Sequence, residues 1–410
     1  MNVFMLTSVP MVPPWDQGDK NLAYTLTTAL PHIRFRVITA QGAPPPQGEN
    51  LDLEPRYLSG KPSLLQKAQI FNWLFKFSRQ ISSMRHSSNG FRPSIGSTTA
   101  PACQAPDLYH LIYRPYSLSS QLLRLLPELK RRPSIHTIPA TADGKPLKRH
   151  MFFAKRIVAL SRYGQSSLQQ LGVKNVIYIP PGIDVDEWAL VADNSAELKA
   201  SLGLTGHPVL LFPGHYGPGQ GSEIILEALP DILGRVPETR FIFACRLRSN
   251  TDYERERAVR HKIHAMGFTH AVRFYNTVAD MRGLIGASDA ILLPLQTMRA
   301  KVDIPTTLLE ALAAAKPVVI TDIPPMNELL QRSGGISELG GLTIPPNDSH
   351  ALADVVVMLL KNPGLRTCMG ACGQKLVRMN YDIRCVASQY EELYEEMAKC
   401  KQPEKPSNHF

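Results

Sequence analysis

The stretch "VLLFPGHYGPGQGSEIILEAL", residues 209–229, sets an apolar run, a glycine-rich turn and the start of an amphipathic helix in succession. That order suits the holding of a phosphate, because backbone N–H groups at a helix N-terminus converge on an anion and the helix dipole favours negative charge. Gly214 and Gly221 bracket the turn, with His215 and Gln220 beside them, yet no lysine or arginine stands between Pro213 and Glu223. A positive charge must therefore come from outside the turn. The stretch "TMRAKVDIPTTLLEAL", residues 297–312, offers one. Its pattern predicts a helix beginning near Asp303 or Ile304 with Pro305 in the first turn, where the missing N–H does no harm. The N–H groups of Thr306, Thr307 and Leu308 would then be free for an anion. Arg299 and Lys301 lie just before that start and either reach the same anion or are solvated loop residues; His215 gains charge if a phosphate raises its pKa.

The elements that must position these residues follow from the hydrophobic pattern. Short β-branched runs alternate with helix-period segments, which argues βαβ units around parallel sheets. In the first half the strand candidates are "NVFMLTS", "RFRVITA", "LYHLIY", "SIHTI", "RIVAL" and "NVIYIP"; in the second they are "VLLFPG", "RFIFAC", "VRFYN", "AILLPL", "PVVIT" and "GLTIP". Two doubly wound α/β domains are the natural partition of 410 residues. The expected limits are 1–181 for the first, with a Ser/Pro/Gly-rich insertion at 79–106, and 182–372 for the second. A helix follows at 373–400, with Val386, Tyr390, Leu393 and Met397 on one apolar stripe, and then a disordered tail, 401–410.

Composition narrows the function classes. Residues 1–181 hold 22 Lys+Arg against 8 Asp+Glu, a net charge of +14, whereas residues 182–410 hold 23 against 27, a net of −4. The basic half faces an anionic membrane surface, an anionic substrate or nucleic acid, or is a solvated face. Nucleic acid is disfavoured because the basic residues lack interleaved aromatic platforms. No apolar run approaches the roughly 20 residues needed to span a bilayer, and the N-terminus has no basic n-region. Six cysteines without a Cys-x-x-Cys or a His/Cys cluster suggest neither a disulfide framework nor a metal site. A cytoplasmic protein, peripheral at most to the inner membrane surface, is expected.

Five ordered stretches resemble retaining glycosyltransferases of family 4, the group 1 type with the GT-B fold. They are "IVALSRYGQSSLQQLGVKNVIYIPPGIDVDEW", the glycine-rich loop, "VRFYNTVADMRGLIGASDAILLPL", "DIPTTLLEALAAAKPVVITDIPPMNELL" and "GLTIPPNDSHALADVVVMLLKNPGLRTCMG". The resemblance implies two Rossmann-like domains facing a central cleft. It also implies a nucleotide sugar as donor co-substrate, an acceptor on the N-terminal side, a final helix crossing back to the first domain, and no cofactor or metal.

Carried over residue by residue, the family's Gly-Arg-x-x-x-x-Lys-Gly pattern matches at Gly214 and Gly221, but His215 and Gln220 replace its two cations. Glu310 matches the second glutamate of Glu-x7-Glu, which bonds ribose hydroxyls, a task suited to a carboxylate that accepts from a vicinal diol. The first glutamate's position is Val302. The base packs near Phe274 and Tyr275, which otherwise serve the core. In the first half, Gly18 and Lys20 match a loop near the donor phosphates and acceptor, or a plain loop whose helix is capped by Asp16 or Asp19. Pro139 holds the position of the usual catalytic histidine, leaving His136 as the candidate beside Lys301. Ser161 matches a family serine or caps its helix.

These residues imply a glycosyltransferase acting on an unknown acceptor, lipid-linked or glycan. The alternative is a degenerate GT-B protein that binds a ligand or partner without catalysis, motivated by His215, Gln220, Val302 and Pro139. A sugar-nucleotide epimerase lacks a convincing pair of acid/base carboxylates.

Overall fold

The computed structural model describes residues 1–7, 18–40, 50–57, 71–76 except 73, and 106–399 except 127, 128, 130, 143, 248, 277, 279, 300 and 331–338. Most of the expected insertion, Asp16 and the expected tail lie outside the described residues, as does the side chain of Asp19. The chain divides into two compact units: residues 1–141, 145–182 and 384–410, and residues 142–144 and 183–383.

Among the described residues the first unit holds seven strands: β1 (Asn2–Thr7), β2 (Arg34–Ala40), β3 (Leu51–Tyr57), β4 (Leu108–Ile112), β5 (Ser134–Ile138), β6 (Arg156–Ala159) and β7 (Val176–Tyr178). They form one parallel sheet in the order β3-β2-β1-β4-β5-β6-β7. The second unit holds β8 (Val209–Phe212), β9 (Arg240–Ala244), β10 (Val272–Tyr275), β11 (Ala290–Leu293), β12 (Val318–Thr321) and β13 (Gly341–Ile344). Their sheet, also parallel, runs β10-β9-β8-β11-β12-β13. The α/β, doubly wound reading is thus the observed fold.

Every apolar run named above is a strand because a parallel sheet is covered on both faces, so its strands are continuous apolar segments. Alternation sorts their side chains. Leu210, Phe212, Phe241, Phe243 and Leu292 enter one core; Val209, Leu211, Ile242, Ile291 and Leu293 enter the other. At about 1.5–3 kcal/mol per large apolar side chain removed from water, these two layers are the main stabilising term of the unit. The strand that the pattern does not predict is β3, "LDLEPRY". Among the described residues it bonds only β2, and it carries Pro55, which an edge strand tolerates and an inner strand does not.

The helix Ile383–Lys399 packs within the first unit. Val386, Tyr390, Leu393 and Met397 are all buried. Its two tyrosines close a polar network that the sequence pattern does not show. His110 on β4 is hydrogen-bonded through Nδ1 to Tyr394 Oη at 2.7 Å and through Nε2 to Thr137 Oγ1 at 2.8 Å, and Thr137 meets Tyr390 Oη at 3.1 Å. At the surface Glu391 meets His32 and Glu396 meets Arg156.

Burial pushes His110 down to about 3, helped by the neighbouring His136, and pushes His136 down to about 4 against its hydrogen bond to the Tyr113 carbonyl. Both folded values lie below the ordinary 6.5, so the neutral rings stabilise the fold fully above that value. The contribution is lost as pH falls through 6.5 toward 4 and 3, at about 1.4 kcal/mol per pH unit for each ring. Thermal melts between pH 7 and 5, above the main carboxylate range, are expected to show Tm falling with acid. A Tm independent of pH in that window would contradict it. Glu310 slopes the other way, so the measurement is cleanest on Glu310→Gln.

Candidate functional site

In open α/β sheets ligands bind beyond the carboxyl ends of the strands, where the strand order reverses. In the second unit that point lies between β8 and β11, which are hydrogen-bonded neighbours with Ala290 opposite Leu210 and Ile291 opposite Leu211. The glycine-rich turn leaves β8 and the segment carrying Arg299 and Lys301 leaves β11, so the topology brings the two sequence candidates together.

The turn is built for close approach. Gly221 has φ +103° and is the N-cap of the helix Ser222–Arg235; a Cβ there would stand 3.1 Å from the Pro294 carbonyl oxygen. Gly219, at φ +68°, accepts a hydrogen bond from the Gln296 N–H at 2.8 Å, and a Cβ on it would meet Thr297 at 3.0 Å. Gln220 is buried, and its Nε2 donates to the Arg299 carbonyl at 3.3 Å, tying the turn to the second segment. A Cβ at Gly214 would stand 2.0 Å from the Phe212 ring, and the Gly214 N–H donates to the Cys245 sulfur. His215 pairs with Gly221 in an isolated β-bridge.

Among the described residues, Lys301 and Arg255 bring charge to this turn, and Arg299 is tied to it through its backbone. Lys301 is half-buried and acts on Cys245, the residue that follows β9, where its charge opposes the burial that pushes the thiol up to about 12. Arg299 is exposed, its backbone N–H donating to Thr297 Oγ1 at 3.2 Å. Arg255, which the sequence reading misses, comes from the helix Asn250–Ala265; its guanidinium lies 3.8 Å from where a Gly217 Cβ would be. No local pattern marks it, since only the path of that helix brings it to the turn.

The helix Thr306–Ala313 corrects the expectation in two respects. Pro305 is its N-cap, at φ −59° and ψ 123°, and not a first-turn residue, so the start falls after Asp303 and Ile304. The Leu308 N–H is not free, because it donates to the Pro305 carbonyl at 3.0 Å, a tight first turn that also keeps the Leu308 side chain fully buried. Thr306 and Thr307 are half-buried at the helix start. Glu310 lies one turn along. Burial raises its carboxyl to about 7, with Glu187 adding to the rise, while Arg282 and a hydrogen bond with the Thr306 hydroxyl oppose it. Phe274 stacks on Phe243 with centroids 5.4 Å apart and carries the Arg260 guanidinium 3.9 Å above its ring. Tyr275 packs against the other core, and its carbonyl accepts from the Cys245 N–H at 3.1 Å.

Gly18, Lys20 and His136 belong to the first unit. Gly18 begins the helix Gly18–Ala29, and Lys20 is buried within it. His136 departs from the expected catalytic placement. Its ring is fully buried on β5, its Nε2 is bonded to the Tyr113 carbonyl at 3.0 Å, and the Tyr113 ring covers it at 4.4 Å. Alternation along the strand turns it into the core, not toward the loops at the strand end. Ser161 caps its helix, accepting from the Gly164 N–H at 2.8 Å. Among the described residues no group of His, Cys, Asp and Glu is arranged to hold a metal ion, and no helix is long and apolar enough to cross a membrane.

Known proteins resemble this chain in sequence and in fold. Residues 207–362 match the family described as glycosyl transferases group 1. Phosphatidyl-myo-inositol mannosyltransferase of Mycobacterium leprae is 30% identical over 236 residues, covering 56% of each chain. The chain thus spans little more than half the length of the curated relatives of this kind that it matches. Among solved structures, sucrose-phosphate synthase of Thermosynechococcus elongatus aligns with a TM-score of 0.73 at 18% identity, covering 98% of this chain and 100% of that one. Anabaena HepE, in complex with UDP, aligns with a TM-score of 0.70 at 15% identity, covering 97% and 100%. The group 1 glycosyl transferase match thus lies within the unit that bears the site, and the fold of the whole chain is the GT-B fold of these solved structures.

Proposed function

We propose that the protein transfers a sugar from a nucleotide diphosphate sugar to an acceptor, with retention of configuration and without a metal ion. The observation that carries this is the convergence of Lys301 and Arg255 on a glycine turn whose own cation positions are His215 and Gln220. Cleavage of the sugar–phosphate bond leaves growing negative charge on the diphosphate, and donors held in advance where that charge develops lower the barrier. Here the N-terminal amides of the helix Ser222–Arg235 and the two imported cations take that part. Glu310, once ionised, accepts from the ribose diol, and Phe274 and Tyr275 border the base. UDP and UDP-glucose complexes of HepE support a nucleotide sugar as donor. A phosphatidyl-myo-inositol mannosyltransferase among the relatives supports a lipid-linked acceptor, for which the basic first unit would provide peripheral membrane contact.

A panel of UDP-, GDP- and ADP-sugars tested by thermal shift checks the donor site. At 100 times its dissociation constant a ligand adds about 2.7 kcal/mol to the folded state. One donor is expected to stabilise the wild type and to do so far less for Glu310→Ala. Because the free carboxyl titrates at about 7 and the diol requires the carboxylate, affinity is expected to fall about tenfold from pH 8 to pH 6. The second reading, a binding module without catalysis, is favoured by Val302 at the position of the family's other glutamate. Nucleotide binding without detectable sugar transfer would select it; no binding by any donor would remove the transferase reading.

A further inference from the structure

At the edge of the first unit's sheet where β6 and β7 begin, a cavity of about 610 Å³ opens beside the turn that precedes β7. It lies at the amino ends of the strands, opposite the carboxyl ends where an open α/β sheet takes its usual ligand. Its wall carries Arg124, Arg149, His150 and Lys174 with the rings of Phe152 and Phe153, and among the described residues no carboxylate lines it. The surrounding sequence shares that bias, since residues 108–182 hold twelve Lys+Arg and two Asp+Glu.

Two of these groups are held by hydrogen bonds. Arg124 Nη2 donates to the carbonyls of His150 at 2.5 Å and Phe152 at 3.3 Å, and its guanidinium stands 5.9 Å from the Phe153 ring centroid. His150 Nε2 is bonded to Ser117 Oγ at 3.1 Å. A Cβ on Gly172 would stand 3.7 Å from Arg149 Cδ, so that side chain runs along the turn before β7, and Gly172 makes the turn at φ +74°. Among the described residues the side chains of Arg149 and Lys174 have neither a hydrogen bond nor an ion pair.

We propose that this cavity binds a phosphate monoester, its phosphate between Arg149, Lys174 and Arg124 and its organic part against Phe152 and Phe153. The volume is that of an ordinary small-molecule site, about 300–1,000 Å³. Unpaired guanidinium and ammonium groups without a competing carboxylate match a dianion by charge-assisted hydrogen bonds. The same chemistry is offered by a soluble phosphomonoester and by a phosphatidic acid headgroup. The inference does not rest on the proposed transfer reaction.

The test uses the full chain and two probes. Phenyl phosphate is titrated by calorimetry, and sedimentation is measured with phosphatidylcholine vesicles containing either phosphatidic acid or, as a phosphodiester control, phosphatidylglycerol. Saturable binding of phenyl phosphate, or sedimentation that prefers phosphatidic acid, is expected in the wild type. In Arg149→Ala/Lys174→Ala it should weaken by about tenfold or more. Both positions are exposed, so the melting temperature is expected to hold. Arg257→Ala/Lys262→Ala, which removes the same charge from the second unit, and Glu310→Ala, in the donor site, should bind as the wild type does. Success with phenyl phosphate identifies a soluble ligand; success with vesicles alone identifies the headgroup. Absence of binding in both arms, or equal losses in either control, overturns the proposal.

Discussion

Replacing Lys301 by alanine is expected to lower kcat for sugar transfer by about 10²–10³, the usual loss when one preorganised donor to a developing oxyanion is removed. Lys301 is singled out by position. Its charge acts on the Cys245 thiol, and the Gly214 N–H donates to that same sulfur, so the ammonium stands where β8 and β9 present their ends to a ligand. Gln220 is an uncharged amide that donates to the Arg299 carbonyl, so it supplies no charge in place of the lysine. The change should spare the fold. Cys245 is held neutral by burial, and removing a nearby cation only raises its pKa further. Steady-state kinetics of wild type, Lys301→Ala and Lys301→Arg, with the donor found by thermal shift, check this. A loss smaller than threefold in the alanine variant would place the needed charge on Arg255 or Arg299 instead.

Gly370→Ala is expected to destabilise the second unit by about 3 kcal/mol, the upper part of the range for overpacking. A Cβ there would stand 2.2 Å from the Ala315 carbonyl oxygen and 2.9 Å from its carbon. The obstacle is backbone, so no rotamer change relieves it, and Ala315 is itself held at φ +53° just past the helix Thr306–Ala313. For a unit of this size the melting temperature should fall by about 6–12 °C. Gly364→Ala in the same helix meets nothing within 4 Å and is expected to be neutral or slightly stabilising. Equal melts for the two variants would refute the packing argument. A shift of Ala315 would be passed to the helix Thr306–Ala313, where Glu310 lies one turn from that end, so nucleotide affinity should fall with Gly370→Ala as well.

Twelve of the thirteen strands among the described residues can be read from the sequence because burial on both faces leaves an uninterrupted apolar run, a signal that needs no knowledge of neighbours. β3 escapes because an edge strand is free to carry Asp52, Glu54, Pro55 and Arg56. The glycine turn and Glu310 are legible for a related reason, since backbone conformation and helix phase leave local marks. The start of the helix Thr306–Ala313 is less so. A proline suits the N-cap as well as the first turn, and the extended ψ of Pro305 in the folded chain distinguishes them. Arg255 and the His110–Tyr394 pair leave no local mark, because each depends on two segments 38 to 284 residues apart in the chain that meet only after folding. His136 shows the converse. Its identity suggests chemistry, while its strand phase sends it into the core.

The helix Ile383–Lys399 gives the first unit a peculiar history during synthesis. That unit is written in two instalments, with residues 183–383 between them. At about 5–20 residues per second, the ribosome needs on the order of 10–40 s to produce the intervening stretch. Throughout that interval His110 and Thr137 lack the hydroxyls of Tyr394 and Tyr390, and Phe35 lacks the ring that later stands against it. The nascent first unit therefore waits with an apolar seam and buried polar atoms unprovided for, a natural client for a chaperone. A premature stop just after Ile383 would release a chain whose second unit is whole and whose first unit cannot close.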